Sequence, residues 1–196
     1  MSTGFDVEDG HLLTGAIDAL KQHGWTALHD LQWPGQPLAI IDHVVLGPGG
    51  VVVVEHKRWT GLVTAQDGDL LQDGQSRHSA VERAAQAAAA LTAPLSPKHR
   101  SAVSAVICLD GQDLSPTAVG LGVTTVGDAQ LPGHLAGLAP VLSPFDVVDI
   151  ARHFMRSLIA TRTSVQATTA DFVIPDSWPA QAPRQRRRRG ILGFGA

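Results

Sequence analysis

Three polar residues stand in a stretch otherwise rich in Val, Ile and Gly: Asp42, Glu55 and Lys57. Two carboxylates brought together form a ligand pair for a hard divalent cation, which takes oxygen donors. A lysine beside them can hold or polarise a water, or stabilise charge developing on a phosphate. The set suits hydrolysis of a phosphodiester, provided that the chain brings the three side chains to one place.

A β-hairpin over residues 38–58 would do so. Residues 38–46 read as one strand and 51–58 as the next, around the turn Gly47-Pro48-Gly49-Gly50. Whether that turn has four residues or a two-residue loop at Pro48-Gly49, partners pair so that Asp42 lies opposite Glu55. Such partners have Cβ atoms about 4.5–5.5 Å apart on one face. Alternation puts Lys57 on the face of Glu55 and turns His43 and His56 to the other. Taken singly, each residue reads as part of a solvent-facing strand with a Glu55–Lys57 salt bridge. Together they share a face with Ile40, Val44, Val51 and Val53, where charge needs compensation. Opposed carboxylates also destabilise a sheet. A bridging Mg²⁺ or Mn²⁺ is the expected remedy.

The remaining pattern supplies a scaffold. Residues 10–23 read as a helix with the stripe Leu12, Leu13, Ala16, Ile17 and Leu20, ended by Gly24. Residues 25–31 form a first strand, followed by a turn at 33–37. The four valines Val51, Val52, Val53 and Val54 suggest a central strand covered on both faces. One or two short strands fall within 61–71, broken at Asp73-Gly74. An Ala-rich helix spans 79–93, stopped by Pro94 and Pro97. Residues 102–109 are an apolar strand and 120–126 a weaker one. A short helix is expected in 128–138 and an amphipathic one over 144–161, with Val147, Val148, Ile150, Ala151, Phe154, Leu158 and Ile159 as its stripe. The expected class is α/β, a mixed central sheet flanked by helices.

Composition narrows the setting. No apolar run approaches the roughly 20 residues of a membrane span, and the acidic N-terminus shows no secretory signal, so a cytoplasmic protein is expected. The single cysteine, Cys108, lies in an apolar run and reads as a buried strand residue. Ten of the 15 basic residues and all 18 acidic ones precede Arg184, so the body is acidic. The other five, Arg184, Arg186, Arg187, Arg188 and Arg189, form a basic tail. That tail suits a salt-dependent phosphate-binding arm, a contact with an anionic membrane or partner, or a solvated disordered end. His29, His43 and His56 have no compact zinc spacing. No G-x-S-x-G elbow is present, and the glycine turn lacks the Lys-Ser/Thr of a P-loop.

Asp42, the Gly47-Pro48-Gly49-Gly50 turn, Glu55-His56-Lys57 and the following Arg58-Trp59-Thr60-Gly61 resemble the nuclease-related domain, NERD. Upstream, Gly24-Trp25, Leu28-His29-Asp30-Leu31 and Pro34-Gly35 fit as well. The resemblance covers roughly residues 10–109 and, more weakly, continues to 126. It implies membership of the PD-(D/E)xK nuclease superfamily and a restriction-endonuclease-like αβββαβ core. It further implies Asp42 and Glu55 as metal ligands, the His56 carbonyl as a third, Lys57 as the catalytic lysine and Gln86 on the helix after the hairpin as a positioning residue. One departure stands out. The family often carries Gly-Glu early in the first helix, where this chain has Gly10-His11. The departure implies either that His11 substitutes as an accessory ligand or that the metal site is weakened; Asp18 lies two turns on along the same helix face and Glu8 just ahead of the helix.

The expected organisation is a nuclease-like domain over 1–126, a helical extension packed on it over 127–174 and a disordered Arg-rich tail over 175–196. The expected activity is Mg²⁺- or Mn²⁺-dependent hydrolysis of DNA, with RNA as the alternative substrate. Arg58, Trp59 and the tail arginines would contact nucleic acid, Trp59 either stacking on a base or packing at the rim. The competing expectation is a nuclease-derived module that binds nucleic acid or protein without cutting. A helicase or other partner protein, or a second copy of the chain, is compatible with so small a unit.

Overall fold

The computed structural model of the chain describes residues 20–36, 39–158 and Pro179. His11, Asp18, most of the expected first helix, the last helix beyond residue 158 and the five tail arginines lie outside the described residues. So does the start of the expected hairpin at residue 38.

A left-handed glycine marks where the first helix was expected to stop. A 3-10 turn at Lys21–His23 ends at Gly24, whose φ is +79°. Strand β1 (Thr26–Gln32) follows and pairs antiparallel with β2 (Ile40–Gly47), which pairs antiparallel with β3 (Gly50–Lys57). After β3, the chain forms a separate three-stranded antiparallel sheet from β4 (Val63–Gln66), β5 (Asp69–Gln72) and β6 (Gln75–Ser76). The sequence suggests one or two strands there; the third, β6, is only two residues long and leaves no periodic signal.

Helix α1 (His78–Thr92) then leads to β7 (Val103–Leu109), which lies parallel to β3. The edge is built by β8 (Thr117–Ala118) and β9 (Val123–Gly127), with β9 parallel to β7. Helices α2 (Leu131–Ala136) and α3 (Pro144–Leu158) complete the described fold. The main sheet has the order β1-β2-β3-β7-β9-β8. It is the expected mixed sheet with helices on it.

The central position of β3 explains its valines. Val51 and Val53 pack with Ala87 and Leu91 of α1 and with Val147, Ile150 and Phe154 of α3. Val52 and Val54 pack on the opposite face with Trp25, Leu131 and Leu135. All four valines are fully buried, so neither face of β3 meets water.

The glycine turn is short because it is clamped. Gly47 pairs with Gly50 across a two-residue loop. A Cβ at Gly47 would fall within the Trp25 ring, and one at Gly50, whose φ is +131°, would strike the Ala102 carbonyl oxygen. The Pro48 carbonyl accepts hydrogen bonds from the backbone N–H groups of Val141 and Leu142 at 2.7 and 3.0 Å. These contacts pin the hairpin register.

Helix α3 begins at a capping box. Ser143 Oγ accepts the Asp146 N–H at 3.2 Å, and Asp146 Oδ2 accepts the Ser143 N–H at 3.1 Å. Asp146 also takes Lys98 Nζ at 2.9 Å and His99 Nε2 at 2.8 Å. The carboxylate thereby ties α3 to the loop between α1 and β7. Cys108 is fully buried in β7, and burial pushes its thiol up to about 12.

Candidate active site

The hairpin register agrees with the sequence expectation. His43 pairs with Val54 and Val44 with Val53, so Asp42 and Glu55 occupy the next facing positions, just beyond the ladder. Glu55 lies on the α1 side of the sheet with Val51 and Val53 and is 2 % exposed. Lys57, two residues on, places its Nζ 2.8 Å from Glu55 Oε2. The trio therefore sits where β2 and β3 separate at the end of the hairpin.

The environment of Asp42 is set by burial and by like charge. Burial raises its carboxyl above the ordinary carboxylate range, and Glu55 adds to the rise. Lys57 and Arg83 pull in the other direction, and Asp30 raises it further. Asp30 is in reach because the pairs His29–His43 and Leu31–Ile41 bracket it, which puts it opposite Asp42 on β1. It adopts a left-handed φ of +53°, a conformation that Asp tolerates better than most residues.

A second cation reaches Glu55 from the helix. Arg83 Nε lies 3.3 Å from Glu55 Oε1, and the Arg83 side chain is 52 % exposed. The family resemblance points to Gln86 on this helix, near the nucleic acid or the site. Gln86 is exposed, one turn further along α1, and it is Arg83 that meets the carboxylate. The buried stripe of α1 is Val81, Ala84, Ala87 and Leu91, and Arg83 flanks it. A polar residue bordering the stripe was the available signal.

Main-chain geometry adds an oxygen. The Lys57 carbonyl accepts the Asp110 N–H at 3.0 Å, on the β7 side. Carbonyls alternate along a strand, so the His56 carbonyl turns to the β2 side, where pairing with β2 has ended. The His56 side chain belongs to the opposite face. There His29 Nδ1 and His43 Nδ1 are 2.8 Å apart, with the rings edge to face. Burial, with His29 and His56 nearby, pushes the His43 imidazole down to about 4.

The residues beyond Lys57 take local partners. Arg58 Nε bonds Asp110 Oδ2 at 2.9 Å. Trp59 packs beside the cluster of Val63, Leu70 and Val81, and the Arg77 guanidinium lies 5.6 Å from its ring centroid.

The donors fit a hard divalent cation. Asp42 and Glu55 take facing positions, the second of them almost fully buried, and carboxylate oxygens are the donors such an ion takes. Among the described residues no group of three or more Asp, Glu, His or Cys side chains could hold a metal ion. A cation relying on the described side chains alone would complete its shell with main-chain or water oxygens. Mg²⁺ commonly binds in that way, and structural Zn²⁺ does not.

Among the described residues no helix is long and apolar enough to cross a membrane. No curated protein and no solved structure gives a significant match. The family described as "Nuclease-related domain", NERD, matches residues 8–109, just over half of the chain, and spans the hairpin, α1 and β7. The six-stranded mixed sheet with its flanking helices is consistent with a restriction-endonuclease-like core. The chain belongs to the nuclease-related domain family of the PD-(D/E)xK superfamily.

Proposed function

We propose that the chain is a divalent-cation-dependent nuclease that hydrolyses phosphodiester bonds of DNA. The observation that carries this reading is the facing of Asp42 and Glu55 beside Lys57 at the open end of a hairpin. Asp42, Glu55 and the His56 carbonyl would hold Mg²⁺ or Mn²⁺. When bound, the cation would neutralise the carboxylates and polarise the phosphate. Glu55 fixes Lys57 through the 2.8 Å contact. The ammonium then points its remaining protons toward the attacking water or a phosphate oxygen, where charge accumulates in the transition state. Gln86, exposed on α1, would contact the nucleic acid at the rim of the site, and the tail arginines would add affinity without sequence preference. His11 and Asp18 remain the candidates for an accessory ligand from the first helix.

A second reading rests on Arg83. Together with Lys57 it compensates Glu55 without any metal, as a module that binds nucleic acid without cutting it would require. Incubation of plasmid, linear DNA and RNA with Mg²⁺ or Mn²⁺ separates the two. Cutting by the wild type that is lost in Lys57→Ala and Glu55→Ala supports the nuclease. Binding without cutting on every substrate supports the module.

A further inference from the structure

We infer that Arg83 exchanges between Glu55 and a substrate phosphate, and that this exchange couples binding of the divalent cation to binding of a phosphodiester chain. The inference rests on the metal-dependent reading above and deepens it.

The two cations on Glu55 are not equivalent. Lys57 is two residues away on the same strand, 24 % exposed and 2.8 Å from Oε2. Arg83 comes from α1, is 52 % exposed and reaches Oε1 through Nε at 3.3 Å. Its contact is the longer one, and the more exposed side chain loses less by leaving. Nε engages the carboxylate, which among the described residues leaves the terminal guanidinium nitrogens for a forked contact with phosphate oxygens.

Charge balance supplies the drive. Asp42 and Glu55 are nearly balanced by Lys57 and Arg83, and the exposed Asp30 adds a weaker negative charge nearby. A divalent cation seated between the carboxylates would compete with Arg83 for Oε1 and leave the site with excess positive charge. An anionic chain offsets that excess and gives Arg83 a new partner. Each ligand therefore favours the other, and the coupling is reciprocal by linkage.

The test is titration of the full chain with Mn²⁺, followed by calorimetry and by the electron paramagnetic resonance of free Mn²⁺. It is run with and without a short phosphorothioate-linked DNA duplex that resists cleavage, after subtraction of Mn²⁺ binding by the duplex alone. The wild type should bind Mn²⁺ about tenfold more tightly with the duplex present. Arg83→Gln should bind Mn²⁺ alone more tightly than the wild type and lose most of the gain from the duplex. Arg83→Lys, which keeps the charge, should retain part of that gain. An equal gain in Arg83→Gln and the wild type, or no rise in Mn²⁺ affinity in Arg83→Gln, overturns the coupling and leaves the metal site standing. No Mn²⁺ binding by any of the three overturns the metal reading and this inference together.

Discussion

Arg83 of α1 and Glu55 of β3 form an ion pair across the helix–sheet interface, with Nε 3.3 Å from Oε1, and the carboxylate end of the pair is almost fully buried. Lys57 takes the other oxygen. Glu55→Gln removes the shared anion and leaves both cations without it. Breaking a fully buried pair costs about 3–5 kcal/mol. Both cations here have access to water, so the expected loss is smaller, about 1 kcal/mol. Urea denaturation should show a lower midpoint with an unchanged slope, and Mn²⁺ binding should disappear.

Asp42→Asn should act in the opposite direction on stability. Burial first, and then the facing Glu55, hold the Asp42 carboxyl above its ordinary value. A raised carboxyl contributes stability that is present below the unfolded pKa, about 4, and is lost as pH rises through the folded one. At neutral pH the metal-free protein therefore carries an unfavourable charge, and Asn should stabilise it by about 0.2–1 kcal/mol. The same variant should lose Mn²⁺ binding. In the wild type, Mn²⁺ affinity should fall on acidification as Asp42 takes up its proton. Melting temperatures at neutral and acidic pH, with and without Mn²⁺, check the sign.

The carboxylate of Asp146 behaves as the reverse case. Burial opposes its charge, but hydrogen bonds from Ser143, Lys98 and His99 outweigh burial and hold it well below the carboxylate range. Its contribution is present above the unfolded pKa and is lost as pH falls from about 4. Asp146→Ala should cost about 1–2 kcal/mol, the scale of a lost helix cap, and should flatten acid denaturation in that range. Chemical denaturation at pH 7 and pH 3 measures both effects.

His43 sets a separate pH window. With its imidazole pushed down to about 4, chiefly by burial, it stays neutral in the folded protein at pH 7. The stability it contributes is full above 6.5 and is lost as pH falls toward 4. The variant His43→Gln should show a flatter melting temperature between those limits. A profile as steep as that of the wild type would assign the acid sensitivity to other groups.

How much of this could be read from the sequence depends on how local each feature is. The facing of Asp42 and Glu55 was legible because a short glycine turn fixes a register and strands alternate. The central place of β3 was legible from its valines. The role of Arg83 was not, because the rotation of α1 is ambiguous in an alanine-rich helix: Ala80, Ala84, Ala85, Ala87, Ala88, Ala89 and Ala90 let several faces pass for the core. The buried stripe is decided by packing on β3 and β7, after the β4–β6 sheet has intervened. The nearness of Asp30 to the site was not legible, because its place opposite Asp42 needs the β1–β2 register, and its left-handed backbone leaves no mark in the pattern. The capping box at Ser143 and Asp146 is a plain S-x-x-D signal in the sequence.

The two-residue loop of the hairpin also sets an order of events. Asp42 reaches its position opposite Glu55 through that loop, whereas Glu55 and its β7 partner Ile107 are separated in the chain by the β4–β6 sheet and α1. Closing short loops is fast, and distant pairings come later. A nascent hairpin is therefore expected to bring its two like charges face to face before the helix delivers Arg83. The charge on Asp42 should then retard folding itself, and neutralising it should speed refolding more than it slows unfolding.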